Sequence, residues 1–254
     1  MNSRKYRIAK IGAPVGAGVS GSYYVDLSSI AKENTANAPY CIPNEFICGE
    51  IGRILGLPVP PVSLISSTAT GTTMFASLNF NFEAHLPPLV DPRDCVAILP
   101  ELSSGLIVFD AYIGNQDRHR GNLSIDNRTS PPHMDIFDHS HALLGFQAGQ
   151  GRERVLSLYG TLGILATGFQ PGNRHCLIDF LGTSEHIQGW LNKIKQIPDF
   201  FIDDICEKVR NIGTTDDEIA VVKTYLKDRR TELAGVFNQS TSEFPQIGQT
   251  RLYV

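Results

Sequence analysis

Long hydrophobic runs are missing from this chain. No uninterrupted apolar stretch approaches the roughly 20 residues needed to cross a bilayer, and the opening Met1-Asn2-Ser3-Arg4-Lys5-Tyr6 has no apolar core of a secretion signal. The expectation is a cytoplasmic protein that makes no membrane contact. Cysteine is scarce too: five residues (Cys41, Cys48, Cys95, Cys176, Cys206), odd in number and never spaced C-x-x-C. That pattern excludes a disulfide framework and a zinc ribbon, and it predicts buried free thiols. An excess of positive charge is absent as well. With 22 basic against 26 acidic side chains and no long like-charge run, nothing draws the chain to a phosphate-coated polymer, so a direct nucleic-acid reader is disfavoured. Repeats and low-complexity tracts are also lacking.

What remains is a chain of 254 residues, 42% apolar, able to bury a substantial core as one large domain or two small lobes. Residues Arg7–Ile11 and Ser22–Leu27 have strand composition and flank a loop holding Gly12, Gly16, Gly18 and Gly21, which predicts a glycine-rich hairpin. From Asn44 to Leu55 the apolar residues recur at helical spacing, with Asn44 placed to cap the start and Gly56 the end. Pro58, Pro60 and Pro61 stop that helix, and two strands are expected at Val62–Ser66 and Thr72–Leu78. The proline-bearing, aperiodic stretch 79–91 is the candidate hinge. This divides the chain into 1–80, a small β-rich lobe with one helix; 81–91, the hinge; and 92–254, a larger, mainly helical lobe. Within the latter, a helix is expected over Ser104–Ile113, short strands over Leu123–Ile125 and Met134–Phe137, and helices over Ile187–Ile194, Phe200–Val209 and Asp216–Val236.

The chemistry candidates sit beside the two short strands. Asp117 and Asn122 form D-x-x-x-x-N on a loop between a helix and a strand. There, a carboxylate orients an attacking hydroxyl and takes its proton, while an amide oxygen offers a hard, neutral ligand to Mg²⁺. Asp138, ending the next strand, supplies the second carboxylate that such a metal needs. Alone, D-x-x-x-x-N is more often a polar loop whose Asx side chains cap amides. Arg118-His119, Gly121 and Asp138-His139 tip the balance toward function. His119 joins the catalytic set as a buttress of the loop rather than as a proton carrier.

Phe109-Asp110-Ala111-Tyr112-Ile113-Gly114-Asn115-Gln116-Asp117-Arg118-His119-Arg120-Gly121-Asn122, followed by Ile136-Phe137-Asp138-His139-Ser140-His141-Ala142-Leu143, resembles the catalytic and metal-binding loops of the HipA-like kinases. Pro43-Asn44-Glu45 and Leu55-Gly56-Leu57-Pro58 upstream are similar to that family's N-lobe helix and the strand entry after it. Trp190, Ile197-Pro198 and Tyr225–Leu233 are similar to its closing helices. The resemblance implies an α+β, bilobal protein-kinase-like fold, related to phosphatidylinositol kinases, with ATP and Mg²⁺ between the lobes. It further implies a protein Ser/Thr acceptor and, as in toxin–antitoxin members, an antitoxin or regulatory protein as partner.

The N-lobe fits less completely. Gly16-Ala17-Gly18-Val19-Ser20-Gly21 matches G-x-G-x-x-G, and the strand-like Ser22–Leu27 after it favours a phosphate-covering hairpin over a dinucleotide turn that opens a helix. A Walker loop is excluded because no Gly-Lys-Ser/Thr comes after it. The returning strand should carry a lysine for the phosphates, paired with the helix acid Glu45. It carries Asp26 instead, leaving Lys10 or Lys32 to reach in from elsewhere. Three rival readings stand beside the kinase. Without such a lysine the protein is a nucleotide-binding pseudokinase or interaction module. A lipid or small-molecule kinase fits the same loops, which report the donor more than the acceptor. His119, His133, His139 and His141 near the aspartates also raise a metallohydrolase, although their spacing is poor for it.

Overall fold

In the computed structural model, residues 6–16, 20–68, 70–81, 87–127, 129–164 and 174–247 are described. Gly18 lies outside them. The chain opens with strands β1 (Ile8–Pro14) and β2 (Tyr23–Leu27), an antiparallel hairpin in the register Lys10↔Asp26 and Ile11↔Val25. Every residue of both strands is exposed. After a one-residue break at Ser28 the chain enters a different sheet through β3 (Ser29–Lys32). This sheet is antiparallel in the order β3-β5-β4, with β4 at Val62–Ser66 and β5 at Thr73–Leu78.

Between β3 and β4 lies helix α1 (Cys41–Ile54). It begins three residues before Asn44, because the Asn34 side chain accepts from the Ile42 N–H at 2.8 Å and so does the work of a cap from outside the helix. Gly56, at φ 77°, ends it as expected. Gly52 lets α1 approach its neighbours closely, since a Cβ there would stand 2.6 Å from Val59.

Helices α2 (Pro92–Ile98) and α3 (Pro100–Ile113) come next, α2 capped by Asp91 accepting from Arg93 N at 2.9 Å. From Ser103 to Ile113 every residue of α3 is buried, which makes it the spine of the helical lobe. Its neighbour α5 (Ile187–Lys195) packs so tightly that Gly105 faces the Trp190 ring with no room for a Cβ. Strands β6 (Leu123–Asp126) and β7 (His133–Ile136) pair antiparallel, and α4 (Gly151–Leu156), α6 (Asp199–Glu207) and the 24-residue α7 (Asp216–Gln239) complete the lobe. A capping box starts α7, Thr215 and Glu218 each satisfying the other's backbone N–H. One apolar cluster runs from Phe75 and Ile47 through Phe109 and Leu123 to Phe237, so the two lobes share a core. All five cysteines are free; four are buried and Cys176 is half-buried. Among the described residues, no single helix is long and apolar enough to cross a membrane.

Candidate active site

The loop between α3 and β6 is tied to itself. Helix α3 ends at Gly114, at φ 62°, a left-handed turn that glycine adopts without steric cost. Asn115 Oδ1 then accepts from Asp117 N (3.1 Å), Asp117 O from His119 N (3.0 Å), and His119 Nδ1 from Gly121 N (3.0 Å). Asn122 Nδ2 donates back to Asp117 O at 2.9 Å. That commits the amide NH₂ to the loop and leaves the Asn122 oxygen as the atom available to a ligand. The Asp117 side chain points outward, 43% exposed, with His141 Nδ1 3.4 Å from Oδ2. This contact raises the His141 pKa above its usual value.

Beneath the loop lies a buried charged knot. Arg118 donates from Nε to Asp110 Oδ2 (2.8 Å) and from its terminal nitrogens to Asp110 Oδ1 (3.2 Å), Asn122 O (2.8 Å) and Phe137 O (2.7 Å). Asp110 also meets Asn115 Nδ2 (3.0 Å) and His175 Nε2 (3.0 Å). Burial alone would raise the Asp110 pKa, but the Arg118 guanidinium and the His175 hydrogen bond outweigh it and hold the carboxyl well below the usual range. One guanidinium therefore joins the end of α3, the loop and the segment after β7.

Across from this loop, Lys32 at the end of β3 donates to Glu45 of α1 and, at 2.9 Å, to Asp138 Oδ1 just beyond β7. Asp138 sits at φ 61°, a left-handed position that aspartate tolerates, and also accepts from Ser140 Oγ at 2.9 Å. Burial raises and Lys32 lowers its pKa, and the net effect holds the carboxylate ionised far below the usual range. Glu45 is buried, yet its pKa also falls, because burial is outweighed by His139, whose Nδ1 lies 3.5 Å from Oε2, and by Lys32. Lys32 is itself raised: burial disfavours its charge, and the two carboxylates more than compensate. The helix bearing Glu45 is clamped in place. Buried Asn44 donates to Ser140 O (2.7 Å) and Gly145 O (3.1 Å) and accepts from Leu144 N (3.1 Å).

The sequence-predicted residues thus fall into three groups. Lys32, Glu45 and Asp138 meet directly. Asp117, His119 and Asn122 share one loop, which Arg118 ties to the segment carrying Asp138. Lys10, Gly16 and Gly21 lie on the exposed hairpin, and none of them lines the cavity of about 520 Å³ that Lys32, Glu45, Phe75, Phe80, Phe137 and Asp138 help to enclose. Two expectations need correcting. Asp26 does not occupy the place of the Glu45 partner: it stands on exposed β2 opposite Lys10, and Lys32, one strand later, holds that place. Asn44 is a clamp inside α1 rather than its cap. The metallohydrolase reading finds no support, since among the described residues no three His, Cys, Asp or Glu side chains gather as a metal cluster. Sequence reasoning missed the buried partners Asp110 and His175, 65 residues apart, and the contact of His141 with Asp117. Only the short spacing from Asp117 to His141 hinted at the latter. A second cavity, about 950 Å³, is lined by Asp117 and His141.

No protein-family model matches the chain, and no curated protein matches it by sequence. Among solved structures, it is similar to the crystal structure of the Helicobacter pylori proinflammatory kinase CtkA, with TM-score 0.50 and 17% identity over 88% of this chain and 92% of that one. Weaker likenesses are to the Shewanella oneidensis toxin–antitoxin complex of HipA, HipB and operator DNA (TM-score 0.45, 14% identity, 87% of this chain and 62% of that one) and to the Golgi casein kinase (0.42, 10%, 92% and 73%). What the first likeness carries is the fold: bilobal and protein-kinase-like.

Proposed function

We propose that this chain transfers the γ-phosphoryl group of ATP, with Mg²⁺, to a hydroxyl, with a protein Ser or Thr as the favoured acceptor in the manner of HipA-like kinases. The observation that carries the reading is Lys32 held between Glu45 and Asp138. A lysine on a β-strand, an acid on the neighbouring helix and a carboxylate ending a strand of the other lobe are the charged parts that position phosphates and metal in phosphoryl transfer. Asp26 motivated a pseudokinase reading, and Lys32 removes that electrostatic reason.

The residues present fit both ATP and Mg²⁺. The cavity of about 520 Å³ has apolar walls (Ile30, Val59, Phe75, Ile136) suited to a base, and Lys32 and Asp138 at its charged end. Asp138, ionised and 36% exposed, and the uncommitted oxygen of Asn122 are the two hard oxygen donors for Mg²⁺, an ion that takes few protein ligands beside phosphate oxygens. When bound there, Mg²⁺ would supply positive charge against the negative charge that develops during transfer. Lys32 places a cation beside the donor phosphates. Asp117, exposed on its tied loop, orients the acceptor hydroxyl and takes its proton as the new O–P bond forms and the bond from the γ-phosphorus to the bridging oxygen breaks, leaving ADP. His119 fixes the loop through Gly121, and Arg118 fixes it from below, so the reacting groups are held rather than assembled on demand.

The test is transfer of labelled phosphate from ATP by the wild-type protein and by Asp117→Ala. Loss of at least a hundredfold in the variant is expected. Equal transfer by both, or none by either, would overturn the assignment.

A further inference from the structure

The cavity of about 950 Å³ beyond Asp117 is bordered by Gln116, Asp117, His141, Gln150 and Arg154, among others. Of its charged lining residues, Asp117 faces His141 and Glu153 turns to Arg152, which leaves Arg154. Among the described residues, Arg154 enters no ion pair: its one hydrogen bond runs to Gly114 O at 2.9 Å, leaving most of the guanidinium's five N–H donors uncommitted. The adjacent Glu153 is no partner, since it turns to Arg152 at 3.5 Å. Burial pulls the Arg154 pKa below its usual value, with only the Tyr225 phenol working against it. A half-buried cation without a counter-charge is costly, and a ligand that brings an anion relieves the cost.

We infer that this cavity seats the phosphoryl acceptor and that Arg154 selects acceptors with an acidic side chain near the hydroxyl, namely acidic Ser/Thr peptides. The inference rests on the kinase reading of Asp117 and gives it a substrate class. Position supports it. The Gly114 carbonyl that anchors Arg154 lies three residues before Asp117, a span of at most about 11 Å at 3.8 Å per residue. An extended peptide covers that distance in about three residues. The amide side chains of Gln147 and Gln150 along the same wall suit the backbone of such a strand.

The experiment uses the full chain carrying Asp117→Ala, without ATP, so that binding is read apart from turnover. A fluorescent peptide with a central serine and glutamates two and three residues to either side is compared by anisotropy with its glutamine counterpart. The glutamate peptide is expected to bind about tenfold or more tightly, the usual scale for a charge-assisted contact. Arg154→Met should abolish the difference. Because Arg154 could lose its place when truncated, a second variant leaves it intact: Gln150→Glu sets a carboxylate one helical turn before it, where Arg154 N already bonds to Gln150 O at 2.9 Å. It should shrink the preference severalfold with the melting temperature unchanged. Equal affinity for the two peptides, no binding of either, or a preference that survives Gln150→Glu would overturn the inference. The two readings fail separately. Wild-type protein that phosphorylates both peptides equally well sinks acceptor selection alone, and protein that binds the glutamate peptide through Arg154 but transfers nothing sinks the kinase assignment alone.

Discussion

Replacing Asp110 by Asn removes one charge and almost no volume, so its effect isolates the buried ion pair with Arg118. Four donors converge on this carboxylate: Asn115 Nδ2 at 3.0 Å, Arg118 Nε at 2.8 Å and its terminal nitrogen at 3.2 Å, and His175 Nε2 at 3.0 Å. An amide has a single oxygen and turns its own N–H groups against the remaining donors. It also leaves a fully buried guanidinium uncompensated. Breaking such a pair from one side costs about 3–5 kcal/mol, a large part of the roughly 5–15 kcal/mol that holds a domain folded. For a chain of this size that corresponds to a fall of roughly 6–20 °C in melting temperature, at about 2–4 °C per kcal/mol. Urea unfolding at pH 7 measures the free energy directly. The pH dependence supplies a second reading with a definite sign. The folded pKa of Asp110 is depressed, so its stabilisation is fully present above the unfolded carboxylate value near 3.9 and is lost as pH falls toward the folded one. Asp110→Asn should therefore flatten the acid limb of the stability curve. A loss below about 1 kcal/mol at pH 7, with the acid limb intact, would show that the knot does not hold the loop as described.

Lys32→Met should abolish phosphate transfer and, by stranding buried Glu45, lower stability by about 2–4 kcal/mol; normal transfer by a folded variant would remove Lys32 from the phosphate site. Asp138→Asn should lose the Mg²⁺-dependent part of the thermal shift given by ATP, and a shift equal to that of wild type would mean the metal site is elsewhere. Asn44→Ala deprives Leu144 N–H and the carbonyls of Ser140 and Gly145 of their buried partner, so a destabilisation of about 3 kcal/mol is expected from calorimetry; less than 1 kcal/mol would disprove the clamp. The raised His141 pKa means that the imidazolium persists above pH 6.5 beside the Asp117 carboxylate, where it competes with the acceptor hydroxyl for Oδ2. His141→Gln should shift the acid limb of the kcat–pH profile downward, and an unmoved limb would separate His141 from the chemistry.

Features that depend on near neighbours were legible in the sequence. Strand β4 was expected at its observed bounds and α7 from its first residue, because alternation and helical period are local signals. The loop Asp117–Asn122 was legible for the same reason, since the hydrogen bonds among its own residues run at most five positions apart. Strand β3 was not. Its four residues, Ser-Ile-Ala-Lys, come after β2 with a single serine between, and no turn signal shows that the chain has changed sheets. The lysine was therefore sought one strand too early. The start of α1 was hidden because its cap comes from Asn34, eight residues before the N–H it satisfies. Helix α4 buries only Gly151 and Val155, too few positions to show a period within a glycine-rich stretch. The site's long-range members, Asp110 with His175 and Asn44 with Ser140, leave no trace in local pattern.

The contacts that close α1 onto the rest of the chain have a consequence for how the protein is made. Lys32 waits for Asp138, 106 residues later, and Tyr40 for Glu218, 178 residues later. During synthesis the first sheet and α1 emerge with the apolar face of the helix, Phe46, Ile47 and Ile51, still without the partners from the helical lobe that cover it. Until that lobe is made, the exposed face is apolar surface of the kind that favours aggregation. Ionic closure of the site carries the entropic cost of closing the long loops between these residues.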